Sequence, residues 1–177
     1  IDVWTWSSCI PKSIIENIEN INNCYVIDIS EKALDVSKKN IVKHKLEKKI
    51  KQIHGNLINE IVWSKEYELN KNIVITANLP YIKSNDFENI DKETIKYEPA
   101  LALYWWKETW FELYEQLIRE CFQLKKINHL NSLILFIEIW FDQKEISEKA
   151  SFSLKNETTD NVEVAKWWID FFRYNNQ

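Results

Sequence analysis

The 177-residue chain contains one glycine, no methionine, three prolines and three cysteines. Average usage is about 7% glycine, roughly a dozen residues at this length. With a single glycine the chain has almost no strain-free way to place φ > 0 in its turns. Cys9, Cys24 and Cys121 are odd in number and lack metal-ligand spacing. That excludes a disulfide framework and a zinc motif, and small buried hydrophobes are expected instead. No apolar run approaches the roughly 18 residues of a membrane span. The start has no signal-peptide pattern, so a cytoplasmic protein without a membrane partner is expected. Without methionine the chain also lacks an initiator, which suggests a fragment or an interrupted reading frame. Net charge is -4 and the pI about 5.5. An acidic balance argues against a protein whose main business is gripping nucleic acid, and no stable nucleic-acid partner is expected. One excess stands against these absences: nine tryptophans. They would need nine large apolar sites in a small core.

The segments alternate. Ile1 to Val3 reads as the end of a truncated strand, and Pro11 to Ile21 as a helix with proline in its first turn. Cys24 to Ile29 is a short buried strand ending near an acid. Ser30 suits an N-cap, and Ala33, Leu34, Ser37 and Ile41 keep helical spacing to about His44. Strands are expected over Ile50 to His54, Asn72 to Ala77 and Ser132 to Ile139. Helices are expected over Thr109 to Lys126, with Tyr114, Leu117, Ile118 and Cys121 on its apolar side, and over Asp142 to Phe152. Val162 to Lys166 and Ile169 to Tyr174 read as a final antiparallel pair. Strand-helix alternation of this kind gives an open, mostly parallel α/β sheet in one domain spanning residues 1–177. The three histidines, His44, His54 and His129, fall at element ends and read as surface or structural.

Ligands of such sheets bind outside the carboxyl ends of the strands. Three segments fall there. Asp28 suits hydrogen bonding to a ribose diol, or else caps the following turn. Asn78-Leu79-Pro80-Tyr81 follows the fourth strand. An Asn amide offers both donor and acceptor, Leu-Pro exposes the carbonyls of Asn78 and Leu79, and Tyr81 offers a flat face. Together they can hold a planar NH2 group by both protons. The third segment is the first loop, Trp4-Thr5-Trp6-Ser7-Ser8.

A strand-to-helix loop that meets a cofactor needs glycine so that backbone can approach the ligand. Trp4 and Trp6 are the opposite choice. With glycine in their place the segment from Asp2 reads D-V-G-T-G-S-S. The same exchange turns Trp105, Trp106 and Trp110 into a turn-rich approach to a helix, Trp140 into a strand-ending glycine, and Trp167-Trp168 into a tight turn. Trp63 is expected in a loop. All nine tryptophans thus occupy positions where glycine is expected. One reassigned stop codon, read as Trp under some genetic codes and as Gly in some bacterial lineages, accounts for all nine, and the wealth of Lys, Ile and Asn fits an AT-rich gene.

With that exchange the chain resembles the HemK/PrmC family of S-adenosylmethionine-dependent methyltransferases, which methylate a glutamine side-chain amide in peptide chain release factors. Asp2 to Ile10 is similar to the family's D-x-G-T-G-S-G-x-I loop, and Gly55-Asn56-Leu57 to its G-D-L. Asn78 to Ile82 is similar to N-P-P-Y-I, Tyr97 to Phe111 to Y-E-P-x-x-A-L-x-G-G-x-D-G, and Glu138 to Gln143 to E-I-G-x-x-Q. Among the departures from the pattern, Leu79 replaces a proline, Asn56 an acid, and Ser8 a glycine.

The resemblance implies a Rossmann-like fold with a mostly parallel seven-stranded sheet and an antiparallel last strand. It implies an enzyme of protein methylation acting in translation termination, with release factors as substrates and no metal. Trp4, Thr5, Trp6, Ser7 and Ser8 would contact the cofactor's methionine part, Asp28 its ribose, and Asn56 and Leu57 its adenine, with Asn78 alongside. Asn78, Leu79, Pro80 and Tyr81 would hold the substrate amide. The family's N-terminal helical docking domain is expected to be missing. An adenine methyltransferase acting on RNA or DNA presents the same planar NH2 problem, and N-L-P-Y is more typical of rRNA adenine dimethyltransferases. A non-catalytic fragment with a blocked cofactor loop is the third reading.

Overall fold

A computed structural model of the chain describes residues 1–21, 23–80, 112–139 and 163–168. Among the described residues six strands form one sheet: β1 (Asp2–Val3), β2 (Cys24–Asp28), β3 (Ile50–His54), β4 (Asn72–Ala77), β5 (Ser132–Ile139) and β6 (Glu163–Trp168). Their order is β3-β2-β1-β4-β5-β6, and every pairing is parallel. Among the described residues four helices accompany them: α1 (Cys9–Asn17), α2 (Glu31–Lys43), α3 (Asn59–Trp63) and α4 (Glu112–Asn128). None of the described helices is long and apolar enough to cross a membrane. The order reverses between β1 and β4, which opens a crevice at the carboxyl ends of those two strands.

The sheet is covered on both faces, as parallel sheets require. On one face Val3, Ile27, Ile75 and Leu135 pack with Ile61 of α3 and Leu117, Ile118 and Cys121 of α4. On the other, Val26 and Ile50 pack with Ile15 of α1 and Ile41 of α2. Each fully buried Leu or Ile contributes about 1.5–3 kcal/mol. Helix α2 starts where Ser30 accepts the Ala33 N–H at 3.3 Å, and its buried stripe is Ala33, Ser37 and Ile41.

Several boundaries differ from those read in the sequence. Helix α1 begins two residues early and stops at Asn17 rather than running to Ile21. Ile18 is extended and Asn20 takes φ 69°, so the turn is broken there, and the Asn17 amide caps the Ser13 carbonyl at 2.8 Å. Trp63 is the last residue of α3, a five-residue helix, not a loop residue. A helix so short carries too little periodicity to read. Trp167 and Trp168 do not form a turn. They extend β6, paired with Glu138 and Ile139 in the register that starts at Glu163 opposite Ile134. As written, they are aromatic residues that suit a strand. Cys121 is buried as expected, whereas Cys9 is exposed and Cys24 partly so. The final strand over Ile169 to Tyr174, the helix over Asp142 to Phe152, and Trp105, Trp106, Trp110 and Trp140 lie outside the described residues.

Candidate functional site

The three expected segments meet at one end of the sheet. Val3 pairs with both Ile27 and Ala77, and Asp28 with His54. The chain therefore leaves β1 at Trp4 beside the place where it leaves β4 at Asn78. Asp28 closes β2 on the other side of β1. Gly55, Asn56 and Leu57 follow the partner of Asp28.

The first loop is fixed by backbone and side chain together. The Thr5 N–H donates to the Ile27 carbonyl at 3.1 Å, and the Ser8 N–H to the Thr5 carbonyl at 2.8 Å. Asp28 is 4% exposed, and each of its carboxylate oxygens takes one backbone N–H at 2.9 Å, from Trp6 and from Ser30. So Asp28 does cap the following turn, and it also ties down the loop. Burial pushes its carboxyl above the usual range, and the hydrogen bonds from Ser30 and Trp6 oppose that.

A chain of buried polar groups runs beneath the loop. Gln52 Nε2 donates to Ser37 Oγ at 2.9 Å, Ser37 Oγ lies 2.5 Å from Ser8 Oγ, and Ser8 Oγ lies 3.2 Å from Thr5 Oγ1. Thr5 Oγ1 donates to Asp2 at 2.5 Å, and Thr76 Oγ1 donates to the other oxygen of Asp2. Each hydroxyl has one proton to give, so the series has one direction, ending on the Asp2 carboxylate. Asp2 is 2% exposed, and its pKa is raised by burial against the pull of the Thr5 and Thr76 hydrogen bonds. The Asn40 amide closes the loop from outside, donating to the Ser7 carbonyl at 2.9 Å.

Within this loop Trp4 takes φ 58°, Trp6 φ 49° and Ser8 φ 60°. Positive φ is uncommon outside glycine, and for a bulky residue it is an outlier. Here two tryptophans adopt it within three residues. Trp4 is half-buried against the core, and Trp6 is 43% exposed.

At the other candidate positions the side chains divide. Asn78 is exposed, and Leu79 and Pro80 are buried. Leu79 belongs to the core and presents its carbonyl, which lies 3.1 Å from the hydroxyl of Tyr114. Tyr81 lies outside the described residues. Leu57 is 0% exposed with φ 54°, and its side chain serves the core. Asn56 Oδ1 is buried without a hydrogen-bond partner among the described residues. A Cβ on Gly55 would lie 3.0 Å from Glu60 Cγ, so the Glu60 side chain would have to shift to admit one. A cavity of about 250 Å³ lies at the opposite ends of the strands, beside Ile1, Cys24 and Asn72, and no expected site residue lines it.

Sequence reasoning missed Ser37, Gln52, Thr76 and Glu120. Glu120, 6% exposed on α4, accepts the Ile58 N–H at 2.9 Å and so caps α3, just beyond Asn56-Leu57. A serine on the apolar stripe of α2 and an acid on that of α4 were the available signals.

Parallel order, a reversal between β1 and β4, and loops gathered at that crevice define a Rossmann-like α/β domain. No protein-family model matches the chain. Among curated proteins it is 32% identical over 149 residues to the release factor glutamine methyltransferase of Mycoplasma mycoides subsp. mycoides, covering 84% of this chain and 49% of that protein. It is 31% identical over 145 residues to the bifunctional methyltransferase of Rickettsia typhi, covering 82% of this chain and 26% of that protein. With the release factor glutamine methyltransferase of Flavobacterium psychrophilum it shares 32% over 104 residues, covering 59% and 34%. The chain is thus similar, over most of its length, to proteins named release factor glutamine methyltransferase or bifunctional methyltransferase. It spans about a quarter to a half of the length of these relatives.

Methyltransferase relatives imply a methyl donor. A buried, unpartnered oxygen such as Asn56 Oδ1 suits the amino protons of a purine. At positions 4 and 6 the backbone holds the left-handed conformation that favours glycine, the residue that lets a loop approach a ligand closely.

Proposed function

We propose that this chain, with glycine at positions 4 and 6, transfers a methyl group from S-adenosylmethionine to the side-chain amide nitrogen of a glutamine in peptide chain release factors. The observation that carries this reading is the shared exit of β1 and β4. It sets the first loop beside Asn78 and the Leu79 carbonyl, at the reversal in strand order.

An amide nitrogen is a poor nucleophile, because its lone pair is delocalised into the carbonyl. The bound cofactor would supply an electrophilic methyl on a sulfonium centre. What the chain supplies is position and charge. The Asn78 side-chain oxygen and the Leu79 carbonyl accept the two N–H protons of the substrate amide and turn its nitrogen toward the first loop. The same acceptors stabilise the positive charge that develops on nitrogen as it gains the methyl group. That nitrogen then gives up one proton, and exposed Asn78 holds it where water can take it. Pro80 fixes the turn. Asp28 would hold the ribose diol on its remaining lone pairs, and Asn56 the adenine.

The test is a methyl-transfer assay with the chain carrying Trp4→Gly, Trp6→Gly and glycine at the other seven tryptophans. Labelled methyl is offered with a release factor or with RNA. Label in the release factor glutamine is expected. Label in RNA adenine would replace this reading with the nucleic-acid one, and label in neither would leave a non-catalytic fragment.

A further inference from the structure

The turn after β4 is held from beneath by a residue of α4. Tyr114 is 0% exposed. Its hydroxyl lies 2.6 Å from the carbonyl oxygen of Glu138, near the end of β5, and 3.1 Å from the carbonyl oxygen of Leu79. Both neighbours accept only, so the phenol's single proton is shared between them in a three-centre bond, with the shorter arm to Glu138. It sits between two carbonyl dipoles from adjacent strands and relieves their repulsion.

A buried tyrosine generally finds a partner for its hydroxyl. What distinguishes Tyr114 is which carbonyl it meets. We infer that Tyr114 is a positioning residue for the methyl-accepting amide. It fixes the Leu79 peptide plane by occupying one lone pair of the carbonyl oxygen, and it leaves the second lone pair aimed at the substrate N–H. A carbonyl oxygen has two such sites, so holding it does not block it. This inference rests on the reading of Asn78 and Leu79 as the amide clamp. Without the hydroxyl the carbonyl is free to rock, and a displacement of about 1 Å at a reacting centre costs up to about a hundredfold in rate.

Tyr114→Phe keeps the ring and its packing and removes one oxygen. It is made in the glycine-bearing chain described above, and two readouts are taken. Leu79-Pro80 is the one Leu-Pro pair in the sequence. Labelling with carbonyl-13C leucine and 15N proline therefore isolates the Leu79 carbonyl resonance. It is expected to move upfield in Tyr114→Phe as the hydrogen bond is lost. In the assay, kcat is expected to fall about tenfold, with KM and the cofactor Kd within about twofold of the parent. An unmoved carbonyl resonance overturns the inference, and so does an unchanged kcat. A variant that fails to fold, or that loses cofactor affinity and kcat together, also overturns it by making Tyr114 a residue of the fold alone. An inactive parent overturns the amide-clamp reading itself, whereas an active parent indifferent to Tyr114→Phe overturns only the present step.

Discussion

The backbone N–H of Trp6 donates to a carboxylate oxygen of Asp28 at 2.9 Å, which joins the loop after β1 to the end of β2. The Thr5 N–H bond to the Ile27 carbonyl anchors the peptide just before it, and Trp6 itself turns the chain onward with φ 49°.

That conformation makes glycine the better residue at position 6, and stability measures it. A non-glycine residue in the left-handed region costs about 1–2 kcal/mol. At an ordinary position Gly is instead less stable than Ala by about 0.5–1 kcal/mol. Trp6→Gly and Trp6→Ala lose the same half-exposed indole and differ only in Cβ. Urea unfolding should find Trp6→Gly the more stable by about 1 kcal/mol. The reverse order would mean that the loop does not hold this φ in solution.

Cofactor binding follows the same two positions. Isothermal calorimetry with S-adenosylmethionine should give no heat of binding for the chain bearing Trp4 and Trp6, and saturable binding for Trp4→Gly with Trp6→Gly. Affinity in the tryptophan chain would show that the indoles leave the crevice open. Mass analysis of residues 3–9 from the protein's own cells states directly which residue each codon delivers.

Glu120 gives stability a pH dependence of defined sign. Its carboxylate accepts the Ile58 N–H and the Gln116 amide, each at 2.9 Å. Burial raises its pKa above the ordinary 4.5, and those hydrogen bonds offset this in part. With the folded value raised, the linked stability is full below the ordinary glutamate pKa. It is lost as pH rises through the folded value. Glu120→Gln has no such step, so its stability relative to the parent should grow with pH above about 4.5 and then level off. Glu120→Ala leaves the Ile58 N–H buried and unpaired, at a cost of about 1–3 kcal/mol. Urea titrations at about pH 4 and about pH 8 bracket the window, and parallel curves for Glu120→Gln and the parent would contradict the sign.

Local and non-local information divide what the sequence shows. Ser30, Ala33, Ser37 and Ile41 mark α2 by cap and spacing, and Ile50–His54 and Asn72–Ala77 are strands with the limits read from their β-branched and apolar residues. Asp28 is legible as a strand-ending acid. That it receives an N–H from residue 6 is not, because this depends on β1 pairing beside β2 across more than twenty residues. Ser37 is legible as a helix residue, yet its reason for being buried lies in Ser8 and Gln52. Tyr114 reads as one more apolar residue of α4, since nothing local places two carbonyls around its hydroxyl. The tryptophans at positions 4 and 6 stand out by residue type, and their φ angles agree with glycine. Trp167 and Trp168 stand out equally and belong to a strand.

The hydroxyl series from Gln52 through Ser37, Ser8 and Thr5 to Asp2 works as a ratchet with a single setting. Every member already gives its proton toward Asp2, so none can turn toward a passing solute without a neighbour turning as well. Should Asp2 take up a proton, it sits on one carboxyl oxygen: on the oxygen facing Thr5 it opposes the Thr5 hydroxyl and the row loses its final acceptor, whereas on the oxygen facing Thr76 the row keeps it. The order of the first loop is therefore tied to one buried carboxylate at the foot of β1, on the far side of the residues that would touch a ligand.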